Sequence, residues 1–160
     1  MKSPLFTDVL QIGFVVRNCE KTAGIFAEKY GIGPWNIYGP ESMTDVKQYN
    51  RECPMQLKVA STFLGKTELE LIEPLDDLSL YADFLQKQGE GLHHLALKSN
   101  FNRAISYSQK HQIPVVLSGV FGAGEKFVYI DASADLKCII ELYDSQPGSS
   151  YPQPVKIIRG

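Results

Sequence analysis

"GEGLHHLAL", residues 89–97, runs a glycine turn into an apolar stretch carrying two adjacent histidines, His93 and His94. If the stretch is a strand, neighbouring side chains point to opposite faces, so at most one histidine faces an interior site. Alternation alone does not say which. What lies on either side of this segment supplies the context, because the chain states the same pattern twice.

Before it, "VLQIGFVV" (9–16) is a strand rich in β-branched residues. Asn18 caps a helix through "CEKTAGIFAEKYG", and Gly31 suits its left-handed stop. "PWNIYG" is a short extended piece, and the polar "PESMTDVKQYNREC" is a long loop. "PMQLKVASTF" (54–63) and "TELELIE" (67–73) are strands joined by a turn at Gly65. A helical linker over 76–90 follows, with Leu80, Phe84 and Leu85 on one face. From residue 91 the pattern restarts: strand "LHHLALKS", helix "NFNRAISYSQKHQ", then strands "PVVLSG", "KFVYIDA" and "KCIIELYD". Each half reads βαβββ. The fold class is α+β: one domain over 1–145, with modules at about 8–75 and 91–145. The Pro/Ser/Gly-rich tail, 146–160, is expected to lie loosely on the surface.

Several classes are excluded. With a net charge of −2 and 16 basic residues in no long run, the footprint of a nucleic-acid binder is missing. No apolar stretch reaches the roughly 18 residues of a membrane span, and the N-terminus lacks a signal-peptide pattern. A cytoplasmic location is therefore expected. Cys19, Cys53 and Cys138 are widely spaced without a CxxC, which suits reduced, packed thiols.

Laying the halves together puts "QIGFVV" on "HLALKS" and residues 69–71 on 140–142. The polar residues then in register are Gln11 with His94, and Glu70 with Glu141. Gln11 and Glu141 each interrupt an apolar strand. Glu70 shares a face with Glu68, while Leu69, Leu71 and Glu73 take the other. A buried carboxylate must protonate, pair or meet a cation. Four such side chains around a pseudo-twofold axis can enclose one divalent ion: Zn²⁺, Co²⁺, Ni²⁺, Mn²⁺ or Mg²⁺, with coordination positions left open. His111, at a helix end, reads as a solvated residue.

Over residues 8–145 the sequence resembles the vicinal-oxygen-chelate superfamily, which includes glyoxalase I, methylmalonyl-CoA epimerase, extradiol dioxygenases and bleomycin-binding proteins. Its strongest segment runs from "ELELIEPLDD" through "DFLQKQGEGLHHLAL", which looks like methylmalonyl-CoA epimerase; "FVYIDASADLKCIIELYD" is similar to that family's last hairpin. The resemblance implies paired βαβββ modules in an open, curved sheet around one metal ion. It implies the ligands Gln11, Glu70, His94 and Glu141, so His94 faces in and His93 the other way. It also implies metal-dependent proton transfer α to a carbonyl, through a metal-stabilised enolate. Glu141 would be ligand and base, and Glu70 its symmetric partner. The expected substrate is an acyl-CoA or other thioester, and the expected assembly a homodimer.

Departures from the pattern keep alternatives open. Epimerases usually carry histidine where this chain has Gln11, and often glutamine where it has Glu70. The ligand set resembles the zinc form of glyoxalase I instead, yet Val15 and Pro74 stand where that enzyme recognises glutathione. The epimerase's second acid/base has Gln56 and Lys58 as its nearest candidates here. A lactoylglutathione lyase of glyoxalase I type is thus one alternative. A non-catalytic binding protein is another, with Trp35, Tyr38, Phe63 and Tyr129 lining its cavity. Extradiol dioxygenation needs a two-histidine, one-carboxylate triad that Gln11 breaks.

Overall fold

Asn18 and Gly31 bound the first helix, α1 (Cys19–Tyr30), as their chemistry dictates. The Asn18 side chain accepts from the Lys21 amide at 2.8 Å, and Gly31 stops the helix at φ 65°. α1 joins β1 (Phe6–Val15) to β2 (Trp35–Met43). Short strands β3 (Lys47–Gln48) and β4 (Arg51–Glu52) follow, then β5 (Met55–Leu64) and β6 (Thr67–Pro74). Helix α2 (Leu80–Gln88) leads to β7 (Gly91–Ser99) and α3 (Phe101–Lys110). The second module continues through β8 (Val115–Phe121), β9 (Glu125–Asp131), α4 (Ser133–Leu136) and β10 (Ile139–Tyr143). The last strand is β11 (Lys156–Ile158). This computed structural model describes residues 3–43, 45–121, 124–145 and 151–160. The expected boundary between domain and tail therefore adjoins residues outside those described.

The strands form one mixed sheet in the order β11-β2-β5-β6-β1-β7-β10-β9-β8-β3-β4. β1 and β7 pair antiparallel at its centre, and each has a parallel neighbour from its own module, β6 and β10 respectively. The registers repeat between modules. Gly13 pairs with Glu70, and Ala96 pairs with Glu141. Gly13 lies two residues after Gln11, and Ala96 two after His94, so the expected equivalence of the halves is present in the pairing itself. The result is an α+β fold of two βαβββ modules sharing an open, curved sheet.

Burial follows strand alternation. On the outer face, Cys19, Ala23 and Ala27 of α1 pack on Val16, Ala60, Leu69 and Leu71, while Ala104 of α3 packs with Ile130, Ile140 and Leu142. The inner face gathers Tyr38, Met55, Leu57 and Val59 with Leu117, Phe127 and Tyr129, and α2 adds Tyr81. Glu68 and Glu70 alternate with the outward leucines, so both look inward. Their burial is what gives the inner face its chemistry.

Two expectations change. The polar stretch taken as a long loop extends β2 and then folds into the β3–β4 hairpin, which docks on β8 through Lys47–Ser118 and Gln48–Leu117 pairs. Its turn places Tyr49 and Asn50 at φ 49° and 61°, a left-handed pair that matches the twist of a two-residue hairpin. Val46 and Cys53, at the hairpin's base, are buried in the inner core. The described part of the tail, 151–160, is not loose either: β11 pairs with β2, and the Val155 amide donates to the Ile37 carbonyl at 2.8 Å.

Replacing Val46 with serine removes apolar contact under the hairpin and should speed hydrogen exchange at the Tyr49 and Cys53 amides, which bond to Val116 and Val46 carbonyls. Unchanged exchange would mean that the hairpin is held by its strand pairing alone.

Candidate metal centre

The His94 ring lies flat over the backbone of β1, and Gly13 makes this possible. A Cβ at residue 13 would stand 1.9 Å from His94 Cε1. With the ring so placed, Nε2 meets Gln11 Oε1 at 3.1 Å, Glu141 Oε2 at 3.1 Å and Glu70 Oε2 at 3.5 Å. All four side chains are buried, Gln11 and His94 completely. The four residues picked out by the sequence are thus in mutual contact, one donor from each of β1, β6, β7 and β10.

His93 does not turn away as expected. Gly13 pairs with His94 but Phe14 pairs with Leu92, so His93 is the extra residue of a bulge. A bulge breaks strict alternation and re-aims a side chain. His93 consequently packs with Tyr81, Phe84 and Tyr129, and its Nδ1 lies 3.1 Å from His94 Nδ1. Burial first, and the neighbouring His94 second, hold its pKa well below the usual value. His93 is a neutral partner that fixes the other nitrogen of the central ring.

A third carboxyl, which repeat symmetry did not indicate, stands beside the cluster. Glu68 is fully buried, and its Oε2 accepts from Gln11 Nε2 at 3.0 Å. In the second module its register position is held by Ile139, opposite His94. Period-two alternation had already put Glu68 on the face of Glu70; that was the available signal. Burial, then the nearby Glu70, push its pKa up to about 8, despite opposing hydrogen bonds from Gln11 and Ser61. Two tyrosines were also missed: Tyr143 donates to Gln11 Oε1 at 3.3 Å, and Tyr151 to Glu70 Oε1 at 2.8 Å.

Charge decides what this arrangement can accept. Burial works against the charged His94 ring, but Glu141 and Glu70 outweigh it and raise the pKa to about 9. Burial raises Glu141 as well, against the pull of His94. One ring nitrogen carries at most one proton, yet three oxygens face it. Glu68 Oε1 has no hydrogen-bond donor, and Glu141 Oε2 faces only the shared His94 nitrogen. Among the described residues no three His, Cys, Asp or Glu side chains stand as a ready-made cage; the oxygens close on the imidazole instead. An excess of buried acceptors over donors is what a cation corrects, and one nitrogen with three oxygens suits a divalent ion of borderline or hard character. The residues fit the group.

Other candidates fall outside. Lys58 points to the outer face, where it pairs with Glu20, and that hydrogen bond raises its pKa. Gln56 is exposed on the same outer face of β5. Neither reaches the centre. Trp35 packs beneath α1 and Phe63 is exposed, whereas Tyr38 and Tyr129 do line the inner core. His111 is exposed against Tyr107.

Residues 10–129 match the profile of the Glyoxalase/Bleomycin resistance protein/Dioxygenase superfamily. The chain belongs to this superfamily. No curated protein matches it. Among solved structures, it is similar to Streptomyces coelicolor methylmalonyl-CoA epimerase in complex with 2-nitronate-propionyl-CoA, at 18% identity and TM-score 0.65, over 86% of this chain and 96% of that one. The Mycobacterium tuberculosis methylmalonyl-CoA epimerase gives 17% and 0.62, over 89% and 91%. A hypothetical protein from Bacillus halodurans gives 21% and 0.64, over 90% and 98%. At these identities the likeness shows the fold alone. No helix among the described residues is long and apolar enough to cross a membrane.

Two predictions follow from the geometry. Gly13→Ala should expel the His94 ring and weaken binding of any ion held there by at least about 10-fold, measured by titration calorimetry. The second concerns pH. Glu68 and His94 bind protons more tightly folded than unfolded, so their stabilisation is lost as pH rises towards about 8 and 9. His93 acts oppositely, but only below its ordinary range near 6.5. Metal-free protein should therefore lose stability from pH 7 to 8 in urea titrations. Glu68→Gln should flatten that slope by up to about 1.4 kcal/mol per pH unit, the equivalent of one proton.

Proposed function

We propose that this centre is a metal-dependent proton-transfer site acting α to a carbonyl, with methylmalonyl-CoA or a related acyl thioester as substrate. The observation that carries the reading is the placement of Glu70 and Glu141. They approach His94 Nε2 from β6 and β10, which flank the central β1–β7 pair on opposite sides. Two carboxylates on opposite sides of one point suit abstraction from one face of a carbon and return to the other.

Gln11, Glu70, His94 and Glu141 would hold the ion, which supplies positive charge to the substrate carbonyl. The rest is done by the chain. Glu141, fully buried beside His94, takes the proton; its burial makes it a stronger base than an exposed carboxylate, against the pull of the imidazole. Glu70 returns a proton from the opposite side. The second acid/base sought on β5 is thus assigned to β6. Tyr81, Tyr129 and Tyr143 surround Glu141 and Glu70 with phenols that stay protonated, Tyr81 donating to Tyr129 at 2.8 Å. They exclude bulk water and leave hydroxyl dipoles at the site.

The solved epimerases of this superfamily lend support to the thioester class, since one of them carries a propionyl-CoA derivative. Incubation with methylmalonyl-CoA and Zn²⁺ or Co²⁺ in deuterated water should give deuterium at the α carbon. Glu141→Gln should cut that exchange by about 100-fold or more while leaving the melting temperature close to wild type. Exchange retained in Glu141→Gln would reject its role as base. No exchange by wild type with any acyl thioester would reject the substrate class.

A further inference from the structure

The two βαβββ modules end at about residue 145, yet Tyr151, beyond both, reaches the centre. Tyr151 donates its hydroxyl to Glu70 Oε1 at 2.8 Å, while the other oxygen of the same carboxylate, Oε2, is the one 3.5 Å from His94 Nε2. The two oxygens therefore have separate tasks. Gln11 repeats the arrangement: its Nε2 is held by Glu68, and its Oε1 faces His94. In both cases one atom of the side chain is tied to an outer partner and the other is aimed at the imidazole.

The phenol is itself held firmly. Its ring stacks on Tyr38 with centroids 4.6 Å apart and planes 16° from parallel, and meets Phe121 edge-on at 5.9 Å. The chain beyond it is anchored to the same strand that carries Tyr38. Val155 donates to Ile37, β11 pairs Lys156 with Ile37 and Ile158 with Trp35, and Lys156 Nζ reaches Glu20 at 2.6 Å. A glutamate has three rotatable bonds, and a ligand held at one oxygen loses much of that freedom before any ion arrives. Partners of this kind orient ligands and commonly govern affinity.

We propose that Tyr151 is a positioning residue: the C-terminal segment delivers its hydroxyl to Glu70 Oε1 and so fixes Oε2 towards the centre. This rests on the metal-centre reading above. The hydroxyl contributes a single donor that neither module supplies. The chain from 151 to 158 is then part of the site's construction, and Glu70 gains from outside the repeat an outer partner like the one Glu68 gives Gln11.

Tyr151→Phe in the full-length protein keeps the stacked ring and removes only the donor. Three quantities would be compared with wild type: the melting temperature, the dissociation constant and visible spectrum of bound Co²⁺, and, without metal at fixed pH, the ¹⁵N resonance of His94 Nε2. The melting temperature should stay close to wild type. The Co²⁺ dissociation constant should rise about 10-fold, the lower end of what loss of such a partner costs, with an altered spectrum, and the His94 resonance should shift. An unchanged dissociation constant together with an unchanged His94 resonance would overturn the proposal. If wild type binds no Co²⁺, the metal-centre reading fails, and the His94 resonance decides for Tyr151 by itself: a shift supports positioning, and none refutes it.

Discussion

His94 Nε2 can share one proton, and Gln11, Glu70 and Glu141 each present it with an oxygen. Much of the surrounding structure follows from this constraint. Gly13 leaves the space in which the ring lies, and Ala96 is the small residue opposite Gln11. The bulge at His93 frees that residue to brace the ring's other nitrogen. The antiparallel β1–β7 pair sets ring and amide side by side, and the parallel strands beyond bring a carboxylate from each side. Such a collection of buried acceptors is costly unless positive charge completes it. Under the proposed function, the cluster's stability and its chemistry share a requirement for a cation.

The two modules are equivalent in register but not in chemistry. Opposite Gln11 stands Glu68, and opposite His94 stands Ile139. The neutral Gln11 amide thus has a carboxyl behind it, while the imidazole has its histidine neighbour. On β6 the sequence Glu68–Leu69–Glu70 turns two carboxyls inward, which makes the first module's half of the centre the more acidic. Tyr143 and Tyr151 supply hydroxyl donors to that same half. The two carboxylates facing His94 thus stand in different surroundings: Glu70 has a tyrosine hydroxyl on its far oxygen, whereas Glu141 lies fully buried beside the imidazole.

What could be seen in the sequence was what alternation and repetition encode. Strand period two, the Asn18 and Gly31 helix signals and the doubled βαβββ pattern carry the fold, and the doubling singles out Gln11, Glu70, His94 and Glu141. What could not be seen depends on departures from those rules. A one-residue bulge reverses the facing of His93 without any mark in the residues around it. The Tyr49–Asn50 turn adopts left-handed angles without the glycine that usually announces a hairpin. Glu68 was visible on the inner face but had no partner in the repeat to raise it above its neighbours. Tyr151 sits in a Pro/Ser/Gly-rich segment whose composition suggests a loose surface tail, and only tertiary pairing with β2 gives it a place.

The central claim is that a buried imidazole ringed by oxygens is a cation site. Its most direct test is elemental analysis of the purified protein after dialysis against Zn²⁺ or Co²⁺, with His94→Ala treated alongside. About one equivalent of metal per chain in wild type, lost in the variant, is the result the account predicts. A wild-type protein that takes up no divalent ion, although folded, would contradict it and leave the cluster as a self-contained proton-sharing network in a binding protein.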